Sequence, residues 1–330
     1  MEQIRERLSE MIDSHVICGA SWAFVSEEGC SLHCHGRRGV TEPYCREALL
    51  PGMYYDLASL SKAVGTTSRI LQMAEEGKLR LETPVCRILP EFRYPEVTVG
   101  NLLLHNSGLA AEVIDKERLT KETIVRRVYE TPQLFLCGKN FVYSDTGFIL
   151  LGFIIQALDG TTLEESLRTH VFDPLGMYRT SYLTDAEHGI YVPTECTKKR
   201  GCICGEVHDS KAYLLGQSGS AGLFSTLDDL AVFAWHYLKR SEKLFRPETY
   251  ELLENTESFG RTYGWSKEYG AGTLYHTGFT GTSMLLDMER KRGFILLTNR
   301  IHPDRSQVEF LEWRKRLNSL FMRTDRGETR

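Results

Sequence analysis

Three short stretches carry side chains able to work together on a carbonyl carbon. The first is Ser59-Leu60-Ser61-Lys62. A helix starting here puts Ser59 and Lys62 three positions apart, on one face of its first turn. The free N–H groups and the positive end of the helix dipole then favour negative charge on an oxygen beside Ser59. A serine hydroxyl is a weak nucleophile until a base takes its proton. A lysine serves once desolvation and positive neighbours push it toward the neutral amine. Alone, Ser-x-x-Lys recurs by chance, and the plain alternative is an exposed lysine one turn into an ordinary helix.

The second stretch is Tyr143-Ser144-Asp145, ahead of a very apolar segment. A phenol both donates and accepts, so Tyr143 can relay a proton between Ser59, Lys62 and a leaving group. Ser144 or Asp145 is equally a helix N-cap, with Tyr143 packed beneath it, and both roles are compatible. The third is His276-Thr277-Gly278-Phe279. Gly278 in an edge strand would admit another backbone or a substrate. The N–H of Phe279 could then join that of Ser59 as an oxyanion hole. His276 is expected to titrate near neutrality and to meet an anionic or polar substrate group, or else to be a half-buried strand histidine.

The elements that must position these residues follow from periodicity. Ile4, Leu8, Met11 and Ile12 mark an amphipathic N-terminal helix, and Ala20–Val25 with Cys30–His35 read as a hairpin. A helix over Ser59–Glu76 stops at Gly77, and further helices are expected at Val99–Leu104, Lys121–Glu130, Thr146–Leu158, Leu163–Thr169 and Leu227–Leu238. Beyond about residue 257 the pattern turns to strands, with a hairpin at Thr282–Met288 and Phe294–Thr298. A last helix follows, showing Phe310, Trp313, Leu317 and Leu320 on one face. Strands at both ends with helices between predict a discontinuous α/β sheet domain from 1–62 and 257–330. An all-helical domain at 63–256 is inserted, with the site in the cleft between them.

Composition narrows the class. Of 330 residues, 42% are hydrophobic and 25% charged, the balance of a globular enzyme. Forty basic against forty-four acidic residues give a net charge of −4, without the basic footprint that nucleic-acid binding needs. The N-terminal residues lack a signal-peptide core and no apolar run is long enough to span a bilayer, so a soluble, reduced, cytoplasmic protein without a membrane partner is expected. Nine cysteines form no regular disulfide framework. Cys196, Cys202, Cys204 and His208 can be drawn as a zinc site, but their spacing is not that of a finger or ribbon, and Cys202-Ile203-Cys204 alternates as a strand does. No metal and no cofactor is expected. Gly-x-Ser-x-Gly, Walker and His-Glu-x-x-His signatures are absent.

Taken together, the order and spacing of Ser-x-x-Lys, Tyr-x-Asp and His-Thr-Gly resemble the serine β-lactamase and penicillin-binding-protein-like superfamily. The surrounding text, Tyr55–Lys62 (YDLASLSK), Leu102–Leu109 (LLLHNSGL), Tyr143–Gly152 (YSDTGFILLG) and Ala221–Asp229 (AGLFSTLDD), resembles its class C β-lactamase and esterase branch. Pro193-Thr194-Glu195 with Gly205-Glu206-Val207-His208-Asp209 resembles a serine hydrolase subgroup of that branch. The likeness runs over roughly residues 5 to 320.

It implies an α+β fold with an antiparallel sheet flanked by terminal helices, plus the helical insertion. It also implies Ser59 as nucleophile, Lys62 as its base, Tyr143 as proton relay, an oxyanion hole at Ser59 and Phe279, and His276 and Gly278 lining the site. The expected reaction is acyl transfer through a Ser59 acyl-enzyme on a small amide or ester. Two positions depart from the branch: Asp145 stands where Asn is common, and His276 where Lys is. A carboxylate at 145 can pair with Lys62 and raise its pKa, and losing a fixed cation weakens attraction for substrate carboxylates. Both disfavour efficient β-lactam hydrolysis and leave esterase, amidase or D-amino-acid peptidase activity. The alternatives are a transacylase and a catalytically silent homologue that binds or senses a ligand.

Overall fold

The computed structural model describes residues 1–113, 118–185, 187 and 189–324. Helix α1 (Glu2–Asp13) leads into the hairpin β1 (Gly19–Ser26) and β2 (Cys30–Gly36), then the short β3 (Tyr55–Asp56). Helices α2 (Ser68–Glu75), α3 (Val99–Leu103), α4 (Ile124–Tyr129), α5 (Asp145–Asp159), α6 (Leu163–Leu167) and α7 (Asp173–Leu175) follow. Next come β4 (Cys196–Thr197), β5 (Gly201–Cys202), α8 (Ser210–Leu215), β6 (Phe224–Ser225), α9 (Leu227–Leu238) and α10 (Pro247–Asn255). The chain closes with β7 (Arg261–Thr262), β8 (Trp265–Ser266), β9 (Thr273–Thr277), β10 (Ser283–Asp287), β11 (Arg292–Thr298) and α11 (Glu309–Arg323).

Seven strands form one antiparallel sheet in the order β2-β1-β11-β10-β9-β8-β7, so β1 from near the N-terminus pairs with β11 from near the C-terminus, Ala20 opposite Thr298. Period-two alternation divides the side chains of β1 between two cores. Trp22 and Phe24 face one side with Leu285, Phe294 and Leu296, covered by Ile4, Leu8 and Met11 of α1 and Phe310, Leu317 and Phe321 of α11. Ala23 and Val25 face the other with Met284, Ile295 and Leu297, against Leu230, Phe233 and Tyr237 of α9. That second core continues without a break into α2, α3 and α5. Burying each such side chain contributes roughly 1.5–3 kcal/mol, which fixes the sheet against the helices. No single helix among the described residues is long and apolar enough to cross a membrane. The last six positions of the expected sheet segment lie outside the described residues.

Two expectations need correction. The stretch 63–256 is not all helix: it holds β4 paired with β5, and β6 paired with β3, Tyr55 opposite Ser225. Such two-residue strands are too short for alternation to show in a sequence. The second concerns the strand that carries His276. It is not an edge, since β9 lies between β10 and β8, and Gly278 follows its end.

Candidate active site

The turn before Ser59 is set by a buried carboxylate. Asp56 accepts the N–H of Ala58 at 2.8 Å and that of His208 at 2.7 Å, while Ala58 holds a left-handed φ of 46°. A non-glycine residue in that region stores strain, of the kind found where a side chain must be aimed. Thr280 and Thr282 fasten the segment from the sheet side. Their hydroxyls donate to the carbonyls of Asp56 (2.8 Å) and Leu57 (3.0 Å). Gly278 makes this approach possible, since a Cβ there would lie 2.3 Å from the Leu57 carbonyl oxygen. The end of β9 is thereby pressed against the Ser59 turn. No hydrogen bond of the described residues occupies the backbone N–H of Ser59 or of Phe279.

Lys62 opens a π-helical segment, Lys62–Thr67, that continues into α2. Such segments recur at functional sites. Its buried ammonium donates to Ser59 Oγ at 2.9 Å and to the Ser220 carbonyl at 2.7 Å, and lies 2.7 Å from Asp145 Oδ1. The Ser220 carbonyl can come this close because Gly219 packs against α5, where a Cβ would meet the Phe148 carbonyl at 2.1 Å. Burial pulls the Lys62 pKa down, but the Asp145 carboxylate and the Tyr143 hydroxyl outweigh it and the net shift is upward. Lys62 therefore rests as an ammonium.

Tyr143 arrives from the residues before α5, whose N-cap is Ser144, with its hydroxyl accepting from Gly147 N–H at 3.1 Å. The Tyr143 ring lies 4.5 Å from the His105 ring, and Lys62 Nζ is 5.2 Å from its centroid. Asp145 sits between two lysines, Lys62 and Lys211, the latter at 3.1 Å. Burial raises the Asp145 pKa, but both lysines outweigh it and hold the carboxyl at about 2. Lys211 in turn contacts Glu112 at 2.8 Å and Asp209 at 3.4 Å. The cluster is thus a chain of alternating charges leading inward from Glu112 to Ser59.

Of the two readings of His276, the packed strand histidine is the one the fold supports. It is buried, its Nδ1 lies 3.0 Å from the Thr277 carbonyl, and its pKa is driven well below the ordinary value by burial, then by Arg261 and Lys62. It is a neutral imidazole here, not a group titrating near pH 7. Sequence reasoning also missed Arg261. From β7 its guanidinium reaches to 5.5 Å from the Phe141 ring centroid and 6.0 Å from that of Tyr143, with no ion pair among the described residues. No spacing rule marks it: the sheet, not the local sequence, carries it to Tyr143. His208, drawn with the cysteines as a ligand, instead contacts Glu195 at 2.8 Å and stacks on Phe279. Phe279 and Tyr143 are exposed, so the cluster opens to solvent.

A serine, a lysine three residues on and a tyrosine from a second element come together where an antiparallel sheet meets a helical layer, an arrangement that fits a serine hydrolase of the acyl-enzyme type. The chain belongs to the Beta-lactamase family, whose model matches residues 11–315. A protein of Salmonella paratyphi B provisionally named D-alanyl-D-alanine carboxypeptidase is 25% identical over 88% of this chain and 77% of its own. Among solved structures, EstCE1, a hydrolase with promiscuous acyltransferase activity, has a TM-score of 0.74 at 20% identity, covering 90% of this chain and 93% of its own. Simvastatin synthase from Aspergillus terreus has a TM-score of 0.78 at 16% identity, covering 97% of each chain.

Proposed function

We propose that Ser59 is acylated by small amides or esters that carry a carboxylate near the scissile bond, and that water then releases the acyl group. The carrying observation is the contact of Lys62 Nζ with Ser59 Oγ at 2.9 Å. In the forward step Ser59 Oγ attacks the carbonyl carbon while its proton passes to the neutral fraction of Lys62. The N–H groups of Ser59 and Phe279 receive the oxyanion, and Tyr143 delivers the proton to the leaving group. The same groups run in reverse for water. A fluorophosphonate probe is expected to add one adduct to the wild type, mapped to Ser59 by peptide mass spectrometry, and none to Ser59→Ala. An unlabelled wild type that binds esters reversibly would instead make it a silent binding protein.

The carboxylate preference rests on Arg261. With His276 neutral, Arg261 is a positive charge beside Tyr143 that makes no ion pair among the described residues, with Glu268 acting on it only at a distance. A substrate carboxylate would complete a charge-assisted pair. Arg261→Met is therefore expected to lower kcat/KM for a carboxylate-terminated D-amino-acid amide about 10- to 100-fold. Neutral nitrophenyl esters should be affected far less. Equal losses on both substrates would remove Arg261 from substrate recognition. We place the reaction in the cytoplasm, which nine free cysteines support.

A further inference from the structure

A second cluster of reactive side chains lies outside the Ser59 site. The hairpin β4–β5 sets Cys196 directly opposite Cys202, and the loop after β11 brings His302 onto both. His302 Nδ1 is 3.9 Å from each sulfur, and all three ligand atoms lie within 4.8 Å of one another. A tetrahedral Zn2+ with ordinary bond lengths separates its ligands by about 3.6 Å for S···N and about 3.8 Å for S···S. The three atoms are thus within a few tenths of an ångström of a coordination triangle on two of its sides.

The triangle is also fixed from outside. Cys196 N–H donates to the Pro303 carbonyl at 2.7 Å, and Asn299 Nδ2 donates to the Pro193 carbonyl at 2.9 Å. His302 is buried, and its Nε2 is 3.3 Å from Thr41 Oγ1, the kind of outer partner that fixes the tautomer of a metal-bound histidine. A disulfide between Cys196 and Cys202 would use the facing pair but would leave the convergence of His302 on both sulfurs without a purpose.

We propose that Cys196, Cys202 and His302 bind a thiophilic divalent cation of the Zn2+ class, fastening the β4–β5 hairpin to the loop after β11. Without metal, Nδ1 lies 2.7 Å from the Thr194 carbonyl, where its N–H donates. On binding, the imidazole proton moves to Nε2 and is donated to Thr41, Nδ1 takes the metal, and both thiol protons leave to solvent. Because both thiols must give up their protons to bind, affinity falls as pH falls. The hairpin leads from Glu195, which pairs with Arg305 at 2.6 Å and with His208, and His208 stacks on Phe279. The cation would stiffen one wall beside the oxyanion residue.

The test uses the full chain, reduced and freed of metal by chelator dialysis, with Co2+ as probe. One equivalent is expected to give the thiolate-to-cobalt charge-transfer band and the visible bands of a tetrahedral site, both displaced by one equivalent of Zn2+. Cys202→Ser should lose the charge-transfer intensity, and Cys204→Ser should keep it. Independently of any variant, Zn2+ should protect Cys196 and Cys202 of the wild type from alkylation, read by peptide mass spectrometry. Absence of the bands with both thiols alkylated at full rate overturns the proposal, as does a Cys196–Cys202 disulfide in protein that takes up no Co2+ after reduction. Equal loss in Cys204→Ser and Cys202→Ser overturns the ligand set.

Discussion

Lys62→Met is expected to lower kcat/KM on a nitrophenyl ester by about 10^4-fold, the upper end for losing a positioned proton-transfer group. Methionine keeps most of the apolar stem of the lysine, although the ammonium that stands 5.2 Å from the Tyr143 ring centroid and 5.7 Å from that of Phe148 is lost. What disappears is the amine that faces Ser59 Oγ and the Ser220 carbonyl. Breaking a buried ion pair commonly costs about 3–5 kcal/mol, because the remaining charge is stranded. Here Asp145 keeps Lys211 at 3.1 Å, so the loss in urea-unfolding free energy should fall below that range. Steady-state kinetics and unfolding curves separate the two effects. A folded variant retaining more than about a tenth of wild-type activity would take the base role away from Lys62.

Much of this site is legible in the sequence because its residues sit in local patterns. Ser59 and Lys62 share one turn, and Tyr143 and Asp145 border one long apolar helix. The hairpin β10–β11 declares itself by two short apolar runs on either side of a charged turn at Glu289–Arg292. What escaped was assembled by tertiary contact. Arg261 lies in a two-residue strand and meets Tyr143 only through the sheet. Lys211 reaches Asp145 from a helix 66 positions later in the sequence. His302 meets Cys196 across 106 positions, whereas His208, nearer in sequence to the cysteines, points to Glu195 instead. Which of the two states His276 takes is likewise decided by tertiary contact. Its type suggests titration near neutrality, but complete burial beside Arg261 and Lys62 disfavours a third positive charge.

Asp145 is where the local pattern and the assembled charge chain give their sharpest joint prediction. The carboxylate is buried, held ionised at about 2 by two lysines, and it keeps Lys62 protonated. If neutral Lys62 is the base, activity rises with pH along a limb set by the Lys62 pKa. That limb lies on the alkaline side, because the folded pKa is raised. Asp145→Asn removes the opposing charge and leaves burial, which pulls the lysine pKa down. The limb should move to lower pH by at least about one unit, and the neutral fraction at pH 7 should rise about tenfold for each unit. Lys211 retains Glu112 and Asp209, so the substitution does not strand it. The pH profile of kcat/KM on an uncharged ester reads the shift directly, free of substrate titration. A limb that stays in place while activity falls would mean that Lys62 acts as a fixed ammonium and that the phenol of Tyr143 takes the Ser59 proton. In that case the Asp145 carboxylate is required to hold the cation in place rather than acting as a brake on its deprotonation.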